Sequence, residues 1–107
     1  MMTVAVENIF IRIRQIQAAE EFITLLENPM LKIERIVSCS HSSPAGFWYD
    51  EADDEWVIVL RGDARLEFFG GETVEMHEGD YLTIPRHVKH RVARTGPETV
   101  WLAIHIK

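Results

Sequence analysis

The sequence is poor in cysteine and has no long apolar run. Cys39 is the only cysteine among 107 residues, so no disulfide can form within the chain. A lone cysteine fits a reducing compartment, and we expect a cytoplasmic protein. No stretch approaches the run of about 18 apolar residues that a membrane-spanning helix needs, so no membrane partner is expected.

Positive charge is also scarce. Lys and Arg number 11 against 17 Asp and Glu, which gives a formal net charge of −6 with histidine neutral. Nucleic acids and anionic membrane surfaces are bound through clustered Lys and Arg, and neither is expected as a partner. The sequence also lacks a Ser-His-Asp arrangement, a phosphate-binding glycine loop and a Cys-x-x-Cys pair, which removes the common hydrolase and nucleotide-binding interpretations.

The chain has the length of one domain with a single core, and residues 1–30 are predicted to form its N-terminal arm and helix. Residues 3–16 alternate only loosely between apolar and polar, as an early strand or an irregular arm does. Residues 18–27 contain good helix formers, and Pro29 follows them, where a helix ends. Three apolar residues in that segment have helical spacing: Phe22, Leu25 and Leu26.

Residues 31–107 are predicted to form a β-barrel. The apolar pattern there changes to period two, and turns containing glycine recur between short strands, which is typical of a barrel or a sandwich. Residues 56–60 form a continuous apolar run, which predicts a strand buried on both faces. The predicted strands are 31–37, 56–60, 64–69, 73–77, 81–84, 88–94 and 99–106.

Two segments of this region match the two sequence motifs of the cupins in order and spacing. In the first, Glu55 is followed after six residues by Gly62; in the second, Pro85 lies six positions after Gly79, and His90 lies five after Pro85. The chain therefore resembles a single-domain cupin. The resemblance implies an all-β double-stranded β-helix, the jelly-roll barrel, preceded here by one short N-terminal helix.

The resemblance also implies a place for a metal. Cupins hold a metal with three His and one Glu, and Glu55 and His90 stand at two of those four positions. The His-x-His pair that supplies the other two ligands is missing. With the two spacers that the family allows, its positions hold Tyr49 and Glu51 or Trp48 and Asp50.

Glu55, His90 and Glu51 are the predicted metal ligands, with Tyr49 as a fourth group. A catalytic metal site usually offers at least three protein groups, and a site rich in oxygen suits Mn, Fe(II) or Mg. The expected cofactor is a divalent metal: Mn, Fe, Zn or Ni. The alternative is that Glu55 and His90 form a buried hydrogen-bonded pair without an ion, since a buried carboxylate needs a partner.

A small-molecule ligand is the second expectation. Aromatic side chains with polar tips commonly line such pockets, although packing in the core is an equally ordinary role for them. His41 lies in a loop that could fold over the barrel mouth as a ligand or a general acid/base, and surface exposure is its alternative. The predicted ligand-binding residues are Tyr49, Trp48, His41, Trp101 and Arg94.

The sequence leaves the positions of two more histidines undecided. His87 stands at the position where the second cupin motif has a glycine, and we expect it to lie in a solvated turn. His105 shares a strand face with Trp101 and Ala103. It lines the barrel interior or faces outwards, depending on which face of that strand is buried.

The expected function is binding of a divalent metal, of a small polar ligand or of both inside the barrel. Metal-dependent oxidation or isomerisation of a small acid or sugar is the activity that the resemblance suggests. The alternatives are a metal-free small-molecule binding module and a structural or interaction protein. A homodimer is expected, because residues 3–16 are apolar enough to pair with a neighbouring subunit.

Overall fold

The computed structural model describes residues 3–11, 13 and 20–107, and this part of the chain is all-β. Eight strands form two antiparallel sheets, a five-stranded sheet in the order β1-β2-β8-β3-β6 and a three-stranded sheet in the order β5-β4-β7. This architecture confirms the predicted jelly roll. In chain order the strands are β1 (Glu21–Glu27), β2 (Leu31–Ser38), β3 (Asp54–Arg61), β4 (Ala64–Phe68), β5 (Thr73–Met76), β6 (Tyr81–Ile84), β7 (His90–Thr95) and β8 (Thr99–Ile106).

β8 is the central strand of the large sheet, and its pairing with both neighbours fixes which side chains point inwards. β8 pairs with β2 without interruption from Leu31↔Ile106 to Ser38↔Thr99, and it pairs with β3 on its other side. Because side chains alternate along each strand, every second residue points between the sheets. The resulting core contains Ile36, Val57, Val59, Ala64, Leu66, Met76, Ile84, Val92, Trp101 and Ala103.

The predicted N-terminal helix is wrong. Ala18 and Ala19, its first two residues, lie outside the described residues, and Glu21–Glu27 forms β1, the edge strand of the large sheet. The backbone of this segment bonds to β2 in a hairpin. Its turn is held by Asn28, whose Oδ1 accepts hydrogen bonds from the amides of Met30 and Leu31 at 2.8 and 3.0 Å.

A bulge explains the misleading spacing in β1. The register shifts between Thr24 and Leu26, so that Phe22 lies opposite Ile36 and Leu26 lies opposite Ile33. Residues 33 and 36 point to opposite faces of β2, and Phe22 and Leu26 therefore do so as well. One extra residue thus breaks the period of two and leaves apolar residues at helical spacing.

The N-terminal residues pack on the outer face of the large sheet. Arg35, which is 4% exposed, donates from Nη1 to the carbonyl oxygens of Ile9 and Ile11 at 3.0 and 2.7 Å. Phe10 lies under the guanidinium of Arg61, 4.4 Å from the ring centroid. Among residues 3–11, 13 and 20–107 there is no helix long and apolar enough to cross a membrane.

Candidate functional site

A cavity lies between the two sheets and opens at one end of the barrel. Its cavity volume is about 70 Å³, and the empty space is about 520 Å³ when open solvent at the mouth is included. Its walls combine apolar core residues with a ring of polar side chains, as small-molecule sites do. The lining residues are Glu20, Phe22, Glu34, Ile36, Tyr49, Glu51, Glu55, Val57, Leu66, Ile84, His90, Val92, Trp101 and His105.

Glu55 and His90 face each other across this cavity. Glu55 lies on β3, where alternation turns it inwards with Val57, and His90 begins β7 in the opposite sheet. The distance between Glu55 Oε1 and His90 Nε2 is 3.8 Å, which is too long for a hydrogen bond. His90 Nδ1 lies 3.0 Å from the carbonyl oxygen of Val88 and donates to it. In the neutral imidazole Nε2 therefore offers a lone pair towards Glu55.

Glu55 is a buried carboxyl group without a hydrogen bond. It is 9% exposed, and no described residue donates to its oxygens. Burial is the main cause that raises the pKa of Glu55, to about 7; the charge of His105 lowers it, and the charges of Glu51 and Glu34 raise it. Glu55 can therefore gain or lose a proton near neutral pH.

Tyr49 is held beside His90 by the backbone. The two residues exchange hydrogen bonds, Tyr49 N to His90 O at 2.7 Å and His90 N to Tyr49 O at 3.1 Å, and their rings stack with centroids 5.5 Å apart. The Tyr49 hydroxyl donates to Glu20 Oε1 at 3.4 Å. Burial is the main cause that raises the pKa of Tyr49 to about 12. Tyr49 therefore stays a neutral phenol at neutral pH.

Glu51, the third predicted metal ligand, also lines the cavity. Its backbone oxygen accepts a hydrogen bond from the amide of His87 at 2.8 Å, which fixes the loop before β3. No described residue forms a hydrogen bond or an ion pair with its carboxylate. Glu51 thus presents a carboxylate to the cavity at the position that the cupin motif gives to a histidine.

These residues do not assemble a metal-binding cluster. Within the described ranges, no group of three or more His, Cys, Asp or Glu side chains is placed so that it could hold a metal ion. One reason is that Tyr49, a protonated phenol engaged with Glu20, replaces one of the missing histidines. The donor set of this chain therefore does not fit the three-His, one-Glu site of the family.

A second polar pair in the cavity was not predicted from the sequence. His105 Nε2 lies 2.7 Å from Glu34 Oε1, and His105 is the direct neighbour of Glu55 across β8 and β3. The hydrogen bond from His105 is the main cause that lowers the pKa of Glu34. The same bond is the main cause that raises the pKa of His105, against the effect of burial. The alternation of side chains along β2 could have indicated that Glu34 points inwards, because Glu34 lies on the same face as the core residue Ile36.

Of the predicted ligand-binding residues, Tyr49 and Trp101 line the cavity and three do not. Trp101 is 3% exposed, and its Nε1 donates to Ser38 Oγ at 3.2 Å. His41 lies next to the lining, with Nε2 3.4 Å from Glu20 Oε1. Trp48 packs edge to face against a surface ring, that of Phe69.

Arg94 lies outside the barrel. It forms ion pairs with Asp63 at 3.1 Å and Glu75 at 3.7 Å. The register between β4 and β7 shifts between Arg65 and Leu66, so Ala93 is an extra residue in β7. That bulge reverses the alternation after Val92 and turns Arg94 away from the cavity.

Comparison with known proteins agrees with this fold. Residues 42–105 match a family model described as a cupin domain. No curated protein matches the chain in sequence.

Several solved structures are similar to this chain. A candidate mannose-6-phosphate isomerase from Ralstonia eutropha JMP134 is 44% identical with a TM-score of 0.92, over 97% of this chain and 99% of that one. A cupin superfamily protein from Desulfitobacterium hafniense DCB-2 is 17% identical with a TM-score of 0.75, over 88% and 83% of the two chains. CoII HppE in complex with Tris buffer is 14% identical with a TM-score of 0.71, over 81% and 53%. The last two likenesses concern the fold alone.

Proposed function

This chain belongs to the cupin family, and we propose that it binds a small polar organic molecule inside the barrel, with Glu55 and His90 as its central contacts. The observation that carries the proposal is the state of Glu55. A carboxyl group that is 9% exposed and receives no hydrogen bond from the described residues is costly to keep in a fold. A bound molecule that donates to Glu55 removes that cost.

The reaction that this pair supports is proton transfer. A general acid or base works best when its pKa lies near the working pH, and that of Glu55 is raised to about 7. His90 Nε2 lies 3.8 Å away on the other side of the cavity, so one group can remove a proton while the other returns one. Isomerisation of a hydroxy-carbonyl compound needs these two steps, and the name of the protein from Ralstonia eutropha points to the same reaction class.

Solvent isotope exchange tests the reaction. The protein is incubated in D2O with small hydroxy-aldehydes and ketones, among them mannose, fructose and their amino-substituted analogues, and loss of C–H signals is followed by NMR. We expect exchange with the wild type and none with Glu55→Gln, which cannot carry the proton. Asp50→Asn is the matched control, because Asp50 is exposed and pairs with His87.

Binding is tested separately from catalysis. A set of small cationic, neutral and anionic polar molecules is screened for a rise in melting temperature. We expect at least one to stabilise the wild type and to lose this effect in Glu55→Gln. Binding without isotope exchange would make the protein a binding module, and a barrel that responds to no molecule would contradict the proposed function.

A divalent metal is the second candidate, favoured by the positions of Glu55 and His90 in the two cupin motifs. Elemental analysis of protein purified without chelator tests it. A stoichiometric metal that is lost in Glu55→Ala and in His90→Ala would support a metal-dependent site. No metal after loading with Mn, Fe(II), Zn or Ni would exclude it.

We also propose that the protein is a homodimer. β1 is an edge strand of the large sheet, and large apolar side chains are exposed along it and its turn, which such edges rarely leave uncovered. They are Phe22, Leu25, Leu26 and Met30, exposed by 51, 46, 51 and 70%. Sedimentation equilibrium should give a dimer for the wild type and a monomer for Leu26→Lys. Val88→Lys is the control and should stay a dimer, because Val88 is also an exposed apolar residue but lies before β7, outside β1.

A further inference from the structure

The charged lining of the cavity is dominated by carboxylates. Four glutamates line it, and none of the described lining residues is Lys or Arg. The imidazoles of His90 and His105 are the lining groups that can become positive. The glutamates are Glu20, Glu34, Glu51 and Glu55.

Three arginines near the barrel form ion pairs with residues that do not line the cavity. Arg35 points to the outer face of the sheet and pairs with Glu21 at 3.1 Å. Arg91 pairs with Glu67 at 2.9 Å, and Arg94 is turned outwards. Lys32 places Nζ 3.7 Å from Glu34 Oε2 but does not line the cavity. An anion inside the barrel would therefore meet no Lys or Arg among the lining residues that the structure describes.

Two of the four carboxylates already have partners among the described residues. Glu34 pairs with His105 at 2.7 Å, and Glu20 accepts a hydrogen bond from Ser38 Oγ at 2.6 Å. Glu51 and Glu55 receive no hydrogen bond from any residue that the structure describes. The side chain of Glu55 is 12% exposed and lines the cavity.

We infer that the molecule bound in this cavity carries a protonated amine that donates to Glu51 and Glu55, and that phosphorylated and carboxylate ligands are excluded. The inference rests on the proposed function and adds the charge of the ligand to it. Charge-assisted hydrogen bonds to carboxylates are stronger than those of a neutral donor, and the aromatic rings of Tyr49 and Phe22 in the lining also favour an ammonium group. A sugar phosphate would instead bring its negative charge towards a lining that holds glutamates and, among the described residues, no Lys or Arg.

Three probes of similar shape and different charge test the inference: butylammonium, 1-butanol and butanoate. The indole N–H of Trp101 reports binding in NMR titrations, since Trp101 lines the cavity and donates to Ser38. We expect the dissociation constant of butylammonium to be at least tenfold lower than that of 1-butanol, and no saturable shift with butanoate. Glu51→Gln should raise the dissociation constant of butylammonium at least fivefold. Asp50→Asn removes the same charge from the next residue, which is exposed and pairs with His87, and should leave that constant unchanged.

Binding of 1-butanol or butanoate as tight as that of butylammonium would overturn the charge preference while leaving the proposed cavity site intact. The same holds if the melting-temperature screen finds a neutral or anionic ligand that butylammonium does not displace. An equal rise of the butylammonium dissociation constant in Glu51→Gln and Asp50→Asn would also overturn it. Glu51 would then act through long-range electrostatics and not through a direct hydrogen bond. If neither the three probes nor the screen gives a ligand, the proposed function fails together with the inference.

Discussion

Glu34 and His105 are joined across β2 and β8 by a 2.7 Å contact between Oε1 and Nε2, inside the cavity that also holds Glu55. Each partner shifts the pKa of the other in the direction that favours an ion pair, downwards for Glu34 and upwards for His105. Because the pKa of His105 is raised, its contribution to stability is complete below its ordinary value of 6.5 and is lost as the pH rises through the folded-state value. The pair therefore favours the imidazolium form of His105, which is the direct neighbour of Glu55 across β8 and β3.

Removing the carboxylate of Glu34 should lower the pKa of His105. In Glu34→Gln the charged hydrogen-bond partner is gone, and burial, which disfavours the imidazolium, acts with less opposition. An NMR titration of the His105 side chain measures the change. Glu27→Gln is the control, because Glu27 pairs with Lys107 instead. An unchanged pKa of His105 in Glu34→Gln would contradict the role of the pair.

The stability of the wild type should fall as the pH rises from about 4.5 towards 8 because of Glu55. Its pKa is raised from 4.5 to about 7 in the fold, so the folded state binds the proton more tightly than the unfolded state over this range. The contribution to the free energy of unfolding is about 3 kcal/mol, complete below pH 4.5 and lost above pH 7.

Urea unfolding at pH 5 and pH 8, with Glu55→Gln beside the wild type, isolates this effect. The neutral glutamine does not titrate. The unfolding free energy of Glu55→Gln minus that of the wild type should therefore increase from pH 5 to pH 8. His105 and Glu34 titrate in both proteins, and their direct contributions therefore largely cancel in that difference. A difference that does not depend on pH would show that Glu55 titrates alike in the folded and unfolded states.

The sequence predicts most of the barrel, because seven of the eight strands follow the period of two or form a continuous apolar run. The failures occur at bulges. The extra residue at Leu25 produces the helical spacing of β1, and the extra residue at Ala93 reverses the face of Arg94. A bulge is a property of how two strands pair, so the pattern of one strand does not reveal it.

Most of the predicted site residues that line the cavity stand at positions that a motif fixes, and Trp101 is the one outside the motifs. The motif spacing selected Glu55 and His90, and both line the cavity. His105 could not be assigned, because its role depends on which face of β8 is buried and on the register that puts it beside Glu55. Its partner Glu34 is 71 residues away in the chain, and no local pattern connects the two.

Gly62 of the first motif should be intolerant of any side chain. Its φ is +89°, and a Cβ there would overlap the carbonyl oxygen of Glu98 and the hydroxyl of Thr99. Gly70 has a φ of +109°, and a Cβ added there would have no neighbouring atom within 4 Å, so it is a control for backbone strain alone. We expect Gly70→Ala to lose about 1–2 kcal/mol of unfolding free energy and Gly62→Ala at least about 3 kcal/mol, because the overlap is added. Equal losses in thermal or urea unfolding would contradict the packing role of Gly62.

His87 occupies a backbone position suited to glycine, which agrees with its place at the glycine of the second motif. Its φ is +63°, a left-handed conformation that costs a residue with a Cβ about 1–2 kcal/mol. Both His87→Gly and His87→Ala remove the exposed contact with Asp50, so their difference reports the backbone. We expect the glycine variant to be more stable by about 0.5–1 kcal/mol, since its greater freedom in the unfolded chain offsets part of the relief.

At Thr83, an exposed residue within β6, the alanine variant should be the more stable of the same two substitutions. Urea unfolding of the four variants checks the reversal, and the same order at both positions would show that the turn at His87 relaxes when its side chain is removed.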